Sequence, residues 1–170
     1  NAIIITGMPG TGKTYLAMNL GVALMKQGNS AIVLHTDLLK VTLRVFQTGL
    51  EGAGYSGNFW EKARLVRPFL EQQVNKAAKD GYILIIEGTL ALGFSQENTT
   101  DILLELPEDV RRDRVKQKHN SAQKTLHQEL KSLEQYRQAL IASVSSKTLC
   151  LDATNSIEIL AERILYHLVL

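Results

Sequence analysis

The sequence predicts an α/β fold of three layers, a mostly parallel five-stranded sheet with helices on both faces. Three observations predict it. Short apolar runs rich in β-branched residues recur along the chain, as in Ala2 to Thr6, Ala31 to Leu34 and Tyr82 to Ile86, and such runs mark strands buried on both faces. The stretches between them are longer and carry apolar residues at helical spacing. Glycine, proline and aspartate separate the two kinds of segment. Strands that alternate with helices need right-handed crossovers, and those give a parallel sheet covered on both sides.

Taken in order, the first strand, Ala2 to Thr6, runs into a glycine-rich loop. Leu16, Ala17, Leu20, Ala23 and Leu24 then define a helix from Lys13 to Lys26, and Gly28 ends it. Ala31 to Leu34 is the second strand, followed through His35-Thr36 by Asp37 and a helical stretch from Leu38 to Phe46. Thr48 to Asn58 carries four glycines and reads as a loop. From Phe59 to Lys79 the pattern is helical again, with Pro68 either kinking one helix or opening a second. The third strand, Tyr82 to Ile86, ends in Glu87-Gly88, and Ile102 to Leu106 is the fourth. Glu108 to Ser143 reads as two helices with a break at His119 to Lys124. Thr148 to Leu151 is a last strand and Ser156 to Leu170 a terminal amphipathic helix.

The 170 residues fit one domain, residues 1–170, with room for a sizeable core and none for a second full domain. Because Asn1 stands almost directly before the first strand, the segment is expected to be excised from a longer chain. A net charge of +2 is too small to argue for nucleic acid or an anionic membrane as partner, and no nucleic-acid partner is expected. No apolar run reaches the roughly 18 residues that cross a bilayer and no signal peptide pattern opens the chain, so no membrane partner and a cytoplasmic location are expected. The lone Cys150 excludes an internal disulfide and suits a reducing compartment. It is expected in the core.

In parallel sheets ligands sit at the carboxyl ends of the strands, which draws attention to Gly7 to Thr14, Asp37, Glu87 and the Asp152 region. Gly7-Met8-Pro9-Gly10-Thr11-Gly12-Lys13-Thr14 matches G-x-x-x-x-G-K-[ST] directly after a strand and at the start of a helix, the context in which that motif cradles phosphates. Its glycines let backbone N–H groups converge, and the helix N-terminus adds positive potential. Lys13 is expected to reach the β- and γ-phosphates of ATP, Thr14 to ligate Mg²⁺, and Tyr15 to join the nucleotide site. The fold class narrows to the P-loop NTPase fold.

Asp37 precedes a helix on which Lys40 and Arg44 follow at i+3 and i+7, so all three share a face. A carboxylate there can take the proton of an attacking hydroxyl while the cations hold an anionic acceptor; it can equally cap its helix. Glu87 ends an apolar strand where P-loop proteins place an acid near the metal. The residues leave open which acid is base and which belongs to the metal shell. After the fourth strand a helix rich in both signs offers Arg114 and Lys118, four residues apart, as lid cations able to neutralise developing charge. Arg111 or Arg112 can replace Arg114 in that role.

On these residues the sequence resembles the small-molecule kinases of the P-loop class. It is most similar to the 2-phosphoglycerate kinase and zeta-toxin group, through Thr36-Asp37-Leu38-Leu39-Lys40 with Arg44 and through Ile85-Ile86-Glu87-Gly88. The lengthened turn Lys26-Gln27-Gly28-Asn29-Ser30 resembles adenylylsulfate kinases, although His35-Thr36-Asp37 stands where those show Asp-Gly-Asp. The resemblance implies Asp37 as base, Arg44 as a phosphate or acceptor contact, and Arg114 with Lys118 as lid cations. It also implies that Asp152, Ala153 and Thr154 lie against the nucleotide base, and that Tyr55, Phe59, Trp60, Arg64 and Arg67 border the acceptor pocket.

The expected activity is therefore ATP- and Mg²⁺-dependent transfer of the γ-phosphoryl group to a hydroxyl of a small, anionic acceptor. The alternative is a nucleotide-binding ATPase or switch module of a larger protein. Against it, no Asp-Glu pair follows an apolar strand and no arginine-finger motif is recognisable. A pseudokinase is disfavoured by the complete loop and both acids.

Overall fold

The computed structural model describes residues 2–39, 59–118 and 126–168. Five strands, β1 (Ala2–Thr6), β2 (Ala31–His35), β3 (Ile83–Glu87), β4 (Thr99–Glu105) and β5 (Leu149–Asp152), form one sheet in the order β2-β3-β1-β4-β5. Every pairing is parallel: β1 with β3 and β4, β2 with β3, and β4 with β5. Between and after the strands run α1 (Lys13–Lys26), α2 (Phe59–Asp80), α3 (Glu108–Lys118), α4 (Leu126–Ser143) and α5 (Ile157–Leu168). A helical turn at 36–39 follows β2, and a 3-10 turn at Thr89–Ala91 follows β3.

Strand periodicity sorts the core into two faces. Ile3 and Ile5 of β1, Ile83 and Ile85 of β3, and Ile102 and Leu104 of β4 pack with Leu16, Leu20 and Leu24 of α1 and with Leu160 and Ile164 of α5. The alternate residues Ala2, Ile4, Leu84 and Ile86 pack under Val66, Leu70, Val74 and Ala77 of α2. Further along that second face, Leu103 of β4 meets Leu92 and Tyr136, Ala139 and Leu140 of α4, with Met8 of the glycine-rich loop packed against them. The middle strands β1 and β3 are thus buried on both sides, which is why their sequences are nearly unbroken isoleucine and leucine.

Two details differ from or refine the expectations. Pro68 lies inside α2, which runs unbroken through it; the proline is exposed, where water can take the hydrogen bond that its missing N–H leaves unmade. Cys150 is exposed rather than in the core. β5 is an edge strand, period two turns Leu151 to the α1–α5 face, and among the described residues nothing covers Cys150 on the opposite face well enough to bury it. The predicted break at 119–124, the loop at 48–58 and the helix beyond Leu39 lie outside the described residues. Among the described residues no helix is long and apolar enough to cross a membrane.

Ile85 is fully buried between β1 and β2 and faces α1. Its truncation leaves a cavity that a close-packed sheet cannot collapse. Ile85→Ala is expected to lower unfolding free energy by about 3 kcal/mol, measured as a reduced urea midpoint at unchanged slope.

Candidate functional site

β1 delivers the chain to Gly7, and the loop that follows is bare backbone wedged between other elements. Gly7 has φ 150°, and a Cβ built on it would lie 2.4 Å from the Leu104 carbonyl oxygen at the end of β4. Gly10 has φ 87° and would drive a Cβ to 2.7 Å from Val115 Cγ2 of α3. Gly12, with φ 95°, is the N-cap of α1, and no side chain caps that helix or places an acid in its first turn. A helix start without a capping side chain keeps N–H groups and positive potential for an external anion.

The loop's carbonyls are held from behind. Lys13, buried at 8% exposure, donates from Nζ to the Gly7 oxygen at 2.9 Å and the Met8 oxygen at 3.0 Å. Thr11 Oγ1 donates to the Met8 oxygen at 2.9 Å. Arg111 Nη1 of α3 donates to the Pro9 oxygen at 3.2 Å, and Tyr136 Oη of α4 donates to the Gly7 oxygen at 3.3 Å.

At the next strand over, β3 ends in Glu87, which is 5% exposed and not a solvated strand end. Its Oε1 accepts from Thr14 Oγ1 at 3.2 Å and from His35 Nδ1 at 2.7 Å. His35 ends β2 and is the register partner of Glu87 in the sheet. A threonine hydroxyl that spends its proton on a carboxylate keeps its lone pairs for a cation. The pair Thr14–Glu87 is thus a hard-oxygen donor set suited to Mg²⁺. Among the described residues no cluster of three or more His, Cys, Asp or Glu could enclose a metal by itself.

Asp37 is exposed in the first turn of the helical segment 36–39, where a negative charge suits the helix dipole. Beside it Thr36 is fully buried and its hydroxyl accepts from the Leu90 N–H at 3.3 Å. Gly88, with φ 122°, packs so tightly there that a Cβ would fall 2.2 Å from Thr36 Oγ1. That contact fixes the approach of the segment carrying Asp37 to the one carrying Glu87.

On α3, Glu108 binds Arg111 through two hydrogen bonds, at 2.9 and 2.6 Å, and Arg112 at 2.9 Å. The hydrogen bond from Arg111 is the main cause that lowers the Glu108 carboxyl from 4.5 to about 2. Arg114 is exposed, and the Lys118 side chain lies outside the described residues. Asp152 ends β5 and its Oδ1 accepts from the Thr154 N–H at 2.9 Å and hydroxyl at 2.8 Å, which holds its carboxyl below the usual range. Ala153 is buried and its N–H donates to the Glu105 oxygen at 2.7 Å, tying that turn to β4. Arg64 and Arg67 are exposed on α2, and Arg67 donates to the Gly93 carbonyl, so α2 is fastened to the segment after β3. Lys40, Arg44 and Tyr55 lie outside the described residues. The structure therefore gathers the loop, Lys13, Thr14, Glu87 and the start of the Asp37 helix at one end of the sheet.

A family model described as AAA domain matches residues 3–137. The chain belongs to the AAA domain family. No curated protein sequence matches it significantly. Among solved structures, this AAA domain is similar to the APS kinase CysC of Mycobacterium tuberculosis in complex with AMPPNP and APS. There the TM-score is 0.63 and the identity 19%, over 100% of this chain and 98% of the other. It is also similar to an unliganded sugar kinase from Janibacter sp. HTCC2649, with TM-score 0.58 and 18% identity over 98% of this chain and 92% of the other. At such identities the likeness establishes the three-layer P-loop kinase fold of this AAA domain.

Two partners in the site were not singled out from sequence. His35 shares Glu87 with Thr14, and strand register was the only signal for it. Tyr136 reaches the loop from 129 residues away, and no local pattern could have flagged it.

The lowered Glu108 carboxyl has a consequence for stability. A group depressed in the folded state stabilises fully above its unfolded value, and the contribution is lost as pH falls toward the folded value. Between pH 4.5 and about 2 the wild type is expected to lose melting temperature more steeply than Glu108→Gln, read by circular dichroism across that range.

Proposed function

We propose that the protein is a Mg²⁺-dependent kinase that transfers the γ-phosphoryl group of ATP to a hydroxyl of a small anionic acceptor. The observation that carries this reading is the convergence of Thr14, Glu87 and the Asp37 segment beside an uncapped helix N-terminus. The AMPPNP and APS bound to the similar CysC structure support a nucleotide on the loop and a small acceptor next to it.

In this reading the loop N–H groups and Lys13 hold the β- and γ-phosphates, Tyr15 adds its backbone, and Asp152, Ala153 and Thr154 border the base. Thr14 and, through water, Glu87 would hold the metal, whose charge would offset that of the phosphates and of the transferring group. Asp37 is exposed, so a hydroxyl can approach it from solvent; it serves as the base. Lys40, Arg44, Arg64 and Arg67 are assigned to the acceptor's anionic group. Arg114 and Lys118 are assigned to charge developing in transfer. The whole of residues 1–170 acts as one kinase domain in the cytoplasm, without nucleic acid or membrane partners.

A panel of small hydroxyl compounds incubated with labelled ATP and Mg²⁺ tests this directly, and a new phosphorylated species is expected. Lys13→Ala abolishes its formation, and Asp37→Asn slows it by ~10²-fold or more at near-normal nucleotide affinity. Full acceptor phosphorylation by Asp37→Asn would remove Asp37 as base. Thr14→Ala is expected to raise the Mg²⁺ concentration needed for half-maximal rate; an unchanged Mg²⁺ requirement would take the threonine out of the metal shell.

A second reading is a nucleotide-hydrolysing or switch module. Hydrolysis that no acceptor redirects, together with partner binding that depends on nucleotide, would establish it instead.

A further inference from the structure

The Gly7 carbonyl accepts two donors from opposite parts of the chain. One is the Lys13 ammonium at 2.9 Å and the other the Tyr136 hydroxyl at 3.3 Å. Tyr136 is 4% exposed and sits on α4 among Leu92, Leu103, Ala139 and Leu140, with Met8 of the loop packed on the cluster. Burial pushes its phenol up, and the charges of Asp37 and Glu87 push it the same way. The group is therefore a proton donor at any working pH.

Resting on the nucleotide-binding reading, we infer that Tyr136 is a positioning residue for the phosphate loop. It keeps the Gly7 carbonyl satisfied when a polyphosphate draws the Lys13 ammonium away. Without it, the lysine could reach a β-phosphate only by leaving a buried carbonyl short of a donor, and that loss falls on every ligand that recruits Lys13. A ligand with no β-phosphate leaves Lys13 where it is and is indifferent to Tyr136. The residue thus favours di- and triphosphates over monophosphates without touching any of them.

Titration calorimetry of ATP, ADP and AMP with Mg²⁺ against wild type and Tyr136→Phe tests this, since the substitution removes one oxygen and leaves the packed ring. ATP and ADP are expected to bind about five- to tenfold more weakly, with AMP unchanged. In a Lys13→Met background, Tyr136→Phe is expected to add no further loss, because the lysine that had to be released is gone. Equal weakening of AMP would mark a general packing role and overturn the inference. Unchanged ATP affinity, or a full additional loss in the Lys13→Met background, would overturn it as well. In each of these cases wild-type affinity for ATP leaves the nucleotide reading standing, whereas a wild type that binds no nucleotide removes both.

Discussion

Three consecutive carbonyls of the phosphate loop are pinned by donors from the protein side, and the geometry of the site follows from that. Gly7 is held by Lys13 and Tyr136, Met8 by Lys13 and Thr11, and Pro9 by Arg111. Among the described residues no peptide bond is cis, and in a trans peptide the next N–H points opposite to the carbonyl. Pinning the Gly7 and Pro9 oxygens therefore turns the N–H groups of Met8 and Gly10 the other way. Side chains could not fit behind such a loop: the spaces a Cβ would need at Gly7 and Gly10 are occupied by the Leu104 carbonyl and by Val115. Glycine is required there as much for the absence of a side chain as for the positive φ.

The sheet supplies the second half of the arrangement. With the order β2-β3-β1-β4-β5, the chain leaves β1 toward one side and returns from β3 to the other. The strand order switches direction at β1, and in open parallel sheets ligands bind beside the carboxyl ends of the strands at such a switch point. Parallel register then sets Glu87 next to Ile5 at the mouth of the loop, and His35 next to Glu87. The acid that meets Thr14 is thus placed by strand pairing, while the Thr36–Gly88 contact places the Asp37 turn beside it.

Much of this could be read before any coordinates, because the signals were local. Isoleucine runs located β1 and β3, helical spacing located α1 over its full length, and the spacing of Gly7, Gly12, Lys13 and Thr14 located the loop. The position of Glu87 was legible, but its burial and its bonds to Thr14 and His35 were not, since they depend on which strands become neighbours. Cys150 was misplaced for a related reason: burial of an edge-strand residue depends on whether a helix crosses its outer face, and strand pattern carries no record of that. Tyr136 was the least legible of all, as its phenol meets the loop only through the packing of α4 on Leu103.

The same logic divides the cations of α3 by what they can do. Arg111 is buried, bonded twice to Glu108 and once to the Pro9 carbonyl, and Arg112 leans on the same glutamate. A guanidinium committed to a carboxylate and a backbone oxygen has little left for a phosphate, and drawing it away would unpin the loop it supports. The contact between Gly10 and Val115 extends that fixed region along the helix. The first turns of α3 therefore act as an abutment for the loop. Among the cations of this helix, Arg114 is exposed and therefore open to the charge-compensating role proposed for it. The Glu108–Arg111 pair holds that abutment in place through its own two hydrogen bonds and the one from Arg111 to Pro9.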